Sequence, residues 1–268
     1  MAEKYTSKMA LVLDREVEDV GAVVAGARQA GDVDRSAGVR DEGEAAQEVH
    51  WGGRMQKAVV RRVVDDADGA PLLRVETYVG GDGPKIGMQR QAALLQALAR
   101  QLKGRVVGVR DLSAQVERDQ AWMNRIAIGA VESEDAIVTV AEGEGTWWLR
   151  TNGAARFDLP DLELYGLTKA QIEPGRRALR HVHQQLLAVG LKGEIELPDG
   201  TPVYLVPVLD AWQHVPLDWP GVGKAGLDRG PGLDGPRASL SVRHRPRFGR
   251  WKTDLKGVLK ALDAEVAR

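Results

Sequence analysis

The stretch TWWLRTNGAARFDLPDLELYGLTKAQIEPGRRALRHVHQQLLAVG, residues 146–190, decides the fold, because strand, turn, loop and helix signals follow one another in it without contradiction. Thr146–Thr151 predicts a strand. Asn152-Gly153 predicts a two-residue hairpin turn, since both residues tolerate positive φ. A strand is then expected to return through Arg156. The stretch indicates a folded core of mixed secondary structure.

The later part of this stretch predicts a long amphipathic helix. Pro160 is expected to stop regular structure, and Leu162–Tyr165 to form a brief extended piece. Thr168 and Gln171 have the spacing of a capping box, which marks a helix start. The apolar side of the helix consists of Leu179, Val182, Leu186 and Val189.

The residues before this stretch alternate between strand and helix patterns. Strands are predicted at Met9–Leu13, Lys57–Val64, Leu72–Val79 and Arg105–Val109, and helices at Val17–Ala30 and Gly87–Leu102. Residues 32–47 are polar and aperiodic, which predicts a loop. The order β-α-β-β-α-β is that of a ferredoxin-like half, expected over residues 1–112.

Residues 113–268 predict a second α/β half with antiparallel hairpins. A helix is expected at Ala114–Ile128, a strand at Ala136–Ala141 and a hairpin at Glu194–Val208. Residues 217–237 are rich in Gly and Pro, which indicates a loop, and residues 251–266 have one apolar side, which predicts a helix. The fold class is therefore α+β, with the two halves packed together.

Composition excludes several classes of protein. The 268 residues include no cysteine, so disulfides, thiolate nucleophiles and cysteine-based metal sites are excluded. The sequence contains no run of about 18 uncharged apolar residues, which is the length needed to span a membrane. Acidic residues interrupt the first twenty positions, unlike a signal peptide. We expect a cytoplasmic protein without a membrane partner.

Charge is distributed unevenly along the chain. Residues 14–48 contain ten acidic and four basic residues, whereas residues 237–260 contain eight basic residues and one acidic residue. Basic side chains interleaved with aromatic rings are typical of nucleic-acid binding. The candidate phosphate contacts are Arg243, Arg245, Arg247, Arg250, Lys252 and Lys256. The alternative is a solvated face, or a partner for the acidic N-terminal segment.

Catalytic motifs of known spacing are missing from the sequence. Residues 221–226 read GVGKAG, but a phosphate loop needs a longer glycine spacing and a Ser or Thr after the lysine. His181 and His183 cannot share one metal from positions i and i+2 of a helix. A hydrolase that uses a divalent metal is an alternative, with scattered carboxylates as candidate ligands: Asp158, Asp161 and Glu163.

Trp212 and Trp219 are candidates for a protein-binding surface, because aromatic residues are enriched at interfaces. The alternative is that they cover an edge of the core. Taken together, the residues favour a non-enzymatic binding or adaptor module without a cofactor. Its partner would be an unknown protein or a second copy of the chain, with nucleic acid as the alternative.

The block TWWLRTNGAARFDLPDLELYGL, followed by a long amphipathic helix, resembles a segment of uncharacterised bacterial proteins of the domain-of-unknown-function kind. The shared pattern is TxGxxRFxxPDLEL, residues 151–164, and with the helix it covers about a sixth of the chain. The resemblance implies a mixed α/β fold and a bacterial cytoplasmic origin. It implies no reaction and no catalytic residue.

Overall fold

The chain divides into two compact units, Met1–Ala136 and Ile137–Arg268. The computed structural model describes residues 6–30, 38–41, 45–51, 56–78, 84–191, 194–223, 237–244 and 252–266. Each unit contains a mainly antiparallel sheet with helices, so the mixed α+β class is confirmed. The division lies after residue 136, because residues 116–118 and 120–127 pair and pack with elements of the first unit. Among the described residues no helix is long and apolar enough to cross a membrane.

The first unit has seven described strands. They are β1 (Thr6–Leu13), β2 (Gly38–Asp41), β3 (Ala46–Trp51), β4 (Gln56–Val64), β5 (Pro71–Tyr78), β6 (Val106–Asp111) and β7 (Val116–Arg118). The helices are α1 (Val20–Gln29), α2 (Pro84–Leu102), α3 (Gln120–Ala127) and α4 (Ser133–Ala136). The strand order is β2-β3-β4-β5-β1-β6-β7, and every neighbouring pair is antiparallel.

Helix α2 is fixed on this sheet by both apolar and polar contacts. Its predicted apolar stripe is buried: Leu94, Leu95, Leu98 and Leu102. The buried amide of Gln91 donates hydrogen bonds to the carbonyls of Ser7 (2.8 Å) and Val75 (2.6 Å). Because these carbonyls belong to β1 and β5, one side chain ties the helix to the two central strands.

The expected loop over residues 32–47 is wrong where the structure describes it, because β2 and the start of β3 lie there. Strands at and next to the edge of a sheet are stabilised by the backbone ladder and by cross-strand pairs, and their residues can be polar. Glu48 in β3, the strand next to edge strand β2, forms such a pair, with Oε2 3.0 Å from Lys57 Nζ in β4. A search for apolar periodicity therefore misses these strands.

The helix expected at 114–128 is shorter, because residues 116–118 form β7 against β6. Helix α3 begins after Asp119, whose carboxylate accepts the N–H of Trp122 at 2.6 Å. An aspartate in this position satisfies one of the free N–H groups of the first turn. The cap and the strand pairing together set the start of the helix.

The second unit also contributes seven described strands: β8 (Val138–Glu144), β9 (Thr146–Asn152), β10 (Asp161–Leu167), β11 (Ile195–Glu196), β12 (Pro202–Pro207), β13 (Arg237–His244) and β14 (Lys252–Asp254). The helices are α5 (Ile172–Val189), α6 (Val208–Ala211) and α7 (Leu255–Val266). The order is β11-β12-β13-β10-β9-β8, and β14 pairs with β13. Only β10 and β13 are parallel among these described pairs.

The capping box that starts the long helix is confirmed, since Thr168 and Gln171 bond each other reciprocally ahead of α5. Helices α5 and α7 contribute to the buried apolar core on one face of the sheet. Helix α7 begins at Leu255 rather than at residue 251, because residues 252–254 pair with β13 as a strand. Trp251 lies outside the described residues.

The strand expected through Arg156 is wrong, because Ala154–Phe157 form a 3-10 helix and the chain returns as β10. Gly153 has φ of 106°, a left-handed conformation that glycine adopts at low cost. Asp161 at the start of β10 accepts the Ala154 N–H at 3.0 Å. This carboxylate closes the connection between β9 and β10.

Candidate functional site

The two faces of β9 and β10 differ in character. Leu149, Leu162 and Leu164 belong to the apolar core shared with α5. Because side chains alternate across a strand, Trp148 and Glu163 lie on the opposite face. Residues 208–223, which we call the tryptophan segment, contact that face through Trp212, Trp219 and Gly221.

Glu163 is the centre of this second face and is fully buried. Its Oε2 accepts the indole N–H of Trp148 at 2.9 Å and a short hydrogen bond from the Tyr165 hydroxyl. Its Oε1 forms an ion pair with Arg237. Burial raises the pKa of Glu163, and the charge of Arg237 opposes that rise. The Glu163 carboxylate therefore has the hydrogen bonds and the ion pair that a charged group needs in a protein interior.

Two arginines lie beside the Trp148 ring. The guanidinium carbons of Arg150 and Arg237 are 5.0 Å and 5.4 Å from the ring centroid, within the range of cation-π attraction. Arg150 also pairs with Glu142 at 2.9 Å. The indole is therefore held by its N–H bond to Glu163 and by cations near its ring.

Tyr165 links this buried cluster to the tryptophan segment. Its hydroxyl accepts the indole N–H of Trp212 at 3.0 Å while donating to Glu163. Burial, and then the nearby Glu163 charge, raise the pKa of Tyr165. The hydroxyl thus stays protonated and connects the segment to the Glu163–Arg237 pair.

Two glycines allow the segment to approach the sheet. A Cβ atom at Gly166 (φ 74°) would lie 2.1 Å from Cζ3 of Trp219. A Cβ atom at Gly221 (φ 84°) would lie 2.2 Å from Cδ2 of Trp148. Only glycine can occupy these positions without displacing a tryptophan ring.

We expect Gly166→Ala to lower the free energy of unfolding by about 2–4 kcal/mol, through left-handed strain and overpacking against Trp219. Urea unfolding followed by tryptophan fluorescence measures this. Gly200→Ala is the matched control: Gly200 has φ of 83° with no atom within 4 Å of the new methyl group. Equal losses in both variants would contradict the packing of Trp219 on Gly166.

The outer side of the tryptophan segment carries exposed apolar residues. Leu209 is 69% exposed and Leu217 is 83% exposed. Trp212 and Trp219, predicted as protein-binding residues, are half-buried beside them in sequence and contact the sheet. The segment therefore presents leucines to solvent above anchored tryptophans.

A second buried polar group consists of Thr151 in β9, Asp161 at the start of β10 and His183 in α5. The Thr151 hydroxyl is 3.2 Å from Asp161 Oδ1 and 3.0 Å from His183 Nε2, and it accepts the Leu162 N–H at 2.8 Å. A hydroxyl has one proton and two acceptor sites. If that proton goes to Asp161, His183 is the donor and carries its proton on Nε2.

Burial shifts both titratable members of this group. It raises the pKa of Asp161 to about 7, against the opposing hydrogen bonds from Ala154 and Thr151. It lowers the pKa of His183 to about 3. Both groups favour their neutral forms, which is what an apolar environment requires.

The structure gives the sequence-predicted carboxylates and histidines different partners. Asp161 and His183 meet through Thr151, Glu163 contacts Trp148, Tyr165 and Arg237, and His181 contacts Gln185 at 2.6 Å. No group of three His, Asp or Glu side chains in the described ranges is arranged to hold a metal. This arrangement adds no support for a metal-dependent hydrolase.

The basic candidates are only partly described. Arg243 lies in β13, Lys252 begins β14, and Lys256 is exposed on α7. Arg245, Arg247 and Arg250 lie outside the described residues, as does most of the GVGKAG sequence. Their assignment to phosphate contacts stays a prediction.

Sequence reasoning missed the residues that surround Glu163. They are Trp148, Arg150, Tyr165 and Arg237. The sequence did contain a signal for three of them. Trp148 and Arg150 are two residues apart, as are Glu163 and Tyr165, and residues with this spacing in a strand point to the same face. Arg237 had no such signal, because only the parallel pairing of β10 and β13 brings it close.

Comparison with protein-family models, curated proteins and solved structures returns no match.

Proposed function

We propose that the chain is a non-enzymatic protein-binding module and that the tryptophan segment is its binding surface. The exposure of Leu209 and Leu217, in a segment anchored by Trp212 and Trp219, carries this proposal. Apolar side chains around fixed aromatic anchors are typical of the energetic centres of protein interfaces.

The anchoring supports binding because it removes part of the entropy cost of association. Trp212 is held by Tyr165, and Trp219 packs on Gly166. A surface that is ordered before binding loses less freedom when a partner arrives. The buried Glu163 cluster would then serve as the support of the surface.

Charge indicates the chemistry of the partner. Residues 208–223 include the exposed Asp210 and Asp218 and contain no lysine or arginine. An apolar partner surface with a basic rim would complement the segment. A second copy of the chain would bring acidic residues against acidic residues in a symmetric contact, so we favour a different protein.

Site-specific photocrosslinking in cells tests the proposal. A photoreactive residue at Leu209 or Leu217 is expected to give a discrete crosslinked product, and the same residue at Ile128, 80% exposed in the first unit, is the control. Products of twice the chain mass would instead identify self-association. Crosslinking no stronger than at Ile128 would overturn the binding role of the segment.

A second candidate function is binding of nucleic-acid phosphates at the end of β13. It is supported by the register of β13 and β14, which pairs Arg243 with Thr253 and His244 with Lys252. The backbone of Lys252 therefore lies opposite that of His244. Contact with successive phosphates requires several basic residues in one region of the surface.

Changing Arg243, Arg245 and Arg247 to alanine is expected to reduce the slope of log affinity against log salt by about 3 for duplex DNA, since each lost phosphate contact removes about 0.9. Binding of labelled DNA and RNA at several salt concentrations measures this. A control variant removes three α5 arginines instead: Arg176, Arg177 and Arg180. No binding by the wild type at low salt would reject the candidate.

We also propose that the centre of the first unit is ferredoxin-like. Support comes from the antiparallel order β4-β5-β1-β6, with α1 between β1 and β4 in sequence and α2 between β5 and β6. In this interpretation β2, β3 and β7 are additions at the edges. A location in the bacterial cytoplasm stays a proposal.

A further inference from the structure

Strand β8 is an edge of the second sheet. It stands at one end of the strand order, and within the described part of the chain it pairs with β9 alone. In an antiparallel pair, alternate residues bond the neighbour and the others direct N–H and C=O groups outward. Natural sheets often protect such edges with lysine or proline, and β8, with sequence VTVAEGE, contains neither.

We propose that β8 receives an extended, basic segment of the protein partner, which adds to the second sheet as an outer strand. This inference rests on the proposed protein-binding function and specifies how the partner engages. Addition of a strand at an open sheet edge obtains affinity from backbone hydrogen bonds and specificity from alternate side chains.

Charge complementarity identifies the occupant as basic. Strand β8 contains no lysine or arginine and has two acidic residues, Glu142 and Glu144. Glu142 is paired with Arg150, and Glu144 is exposed at the end of the strand. The tryptophan segment adds the exposed Asp218, two residues before Pro220. A lysine-bearing or arginine-bearing strand would complement this charge.

The edge and the tryptophan segment are neighbours. A Cβ atom at Gly143 would lie 3.1 Å from Cγ of Pro220. The end of β8 therefore touches the segment, close to Trp219 in sequence. A partner chain that pairs along β8 therefore reaches the tryptophan segment at Pro220.

Amide hydrogen exchange of the full chain, resolved by NMR, tests the inference with synthetic peptides. The probe alternates lysine with valine, a first control alternates glutamate with valine, and a second control is the basic probe with central proline residues. We expect the basic probe alone to protect alternate amides within residues 138–144. Equal binding of the proline peptide, or protection of no β8 amide at saturating probe, would overturn the inference.

A charge-reversal variant tests whether the basic probe binds at the β8 edge. Glu144→Lys changes one exposed residue of β8 and is expected to weaken the basic probe about threefold, because an attractive charge pair becomes repulsive. An unchanged affinity would count against docking here. If Leu209 and Leu217 form crosslinks but no β8 amide is protected, only the proposal of strand addition is wrong. If these crosslinks do not form, the proposed binding role of the tryptophan segment is wrong.

Discussion

Glu163→Ala is expected to lower the free energy of unfolding by about 3–5 kcal/mol, because it leaves the Arg237 guanidinium without its carboxylate in a nearly dry environment. The Arg237 side chain is 13% exposed and Glu163 is fully buried. The same change removes the acceptor of the Trp148 and Tyr165 hydrogen bonds. Urea unfolding, followed by circular dichroism, measures the loss.

Glu142→Ala is the matched control for this prediction. Glu142 also pairs with an arginine beside the Trp148 ring, but its side chain is 42% exposed. We expect a loss of about 0–1 kcal/mol, as for other solvent-exposed ion pairs. Similar losses for the two variants would show that burial does not increase the contribution of the Glu163–Arg237 ion pair to stability.

The double variant Glu163→Leu with Arg237→Leu separates an unpaired charge from lost packing. Replacing both members of a buried ion pair by apolar residues is often neutral or stabilising, whereas removing one is costly. The double variant should therefore be more stable than either single leucine variant. Additive losses would point to packing instead of charge as the source of the effect.

Asp161→Asn and His183→Gln are expected to change the pH dependence of stability in opposite directions, each by on the order of 4 kcal/mol, at about 1.4 kcal/mol per pH unit. Asparagine keeps an acceptor for Ala154 and Thr151, and glutamine keeps a donor for Thr151. Each variant thus removes one titration while preserving the hydrogen bonds of the group.

The signs follow from the direction of each pKa shift. Asp161 has its pKa raised from 3.8 to about 7, so its contribution to stability is complete below pH 3.8 and is lost as the pH rises through 7. His183 has its pKa lowered from 6.5 to about 3, so its contribution is complete above pH 6.5 and is lost as the pH falls through 3. In the wild type the two trends oppose each other between about pH 4 and 6.5.

Chemical unfolding at closely spaced pH values from 3.5 to 8 measures both variants against the wild type. On acidification Asp161→Asn should lose stability relative to the wild type, because the rise from Asp161 protonation is gone. Over the same range His183→Gln should gain relative stability, because no buried imidazole must be protonated. Parallel curves for all three proteins would mean that neither group is buried as the structure places it.

Local patterns decide much of the fold in advance. Thr168 and Gln171 mark the start of the long helix through the capping box, and the leucine stripe of α2 predicts its buried side. The hairpin of β4 and β5 follows from the turn residues between them. These features depend on neighbours within a few residues, so the sequence contains the information that determines them.

Elements held by pairing across the sheet are harder to predict. Strands β2 and β3 are polar, and the connection after Asn152 forms a 3-10 helix because Asp161 caps it from the next strand. Both outcomes depend on contacts between separate strands, and these contacts form only as the chain folds. The candidate site is a further example. The sequence proposes Trp212 and Trp219, but it does not predict the buried Glu163–Arg237 ion pair that lies near them.

The sequence by itself determined a mixed α+β protein without cysteine chemistry, since composition and apolar periodicity act locally. Only the tertiary structure decided which polar residues meet. Parallel pairing of β10 with β13 brings Arg237 to Glu163, and alternation along β10 places that pair on the face opposite the apolar core. The physical reason is that an ion pair between residues 74 positions apart has no local signature; sheet register alone creates it.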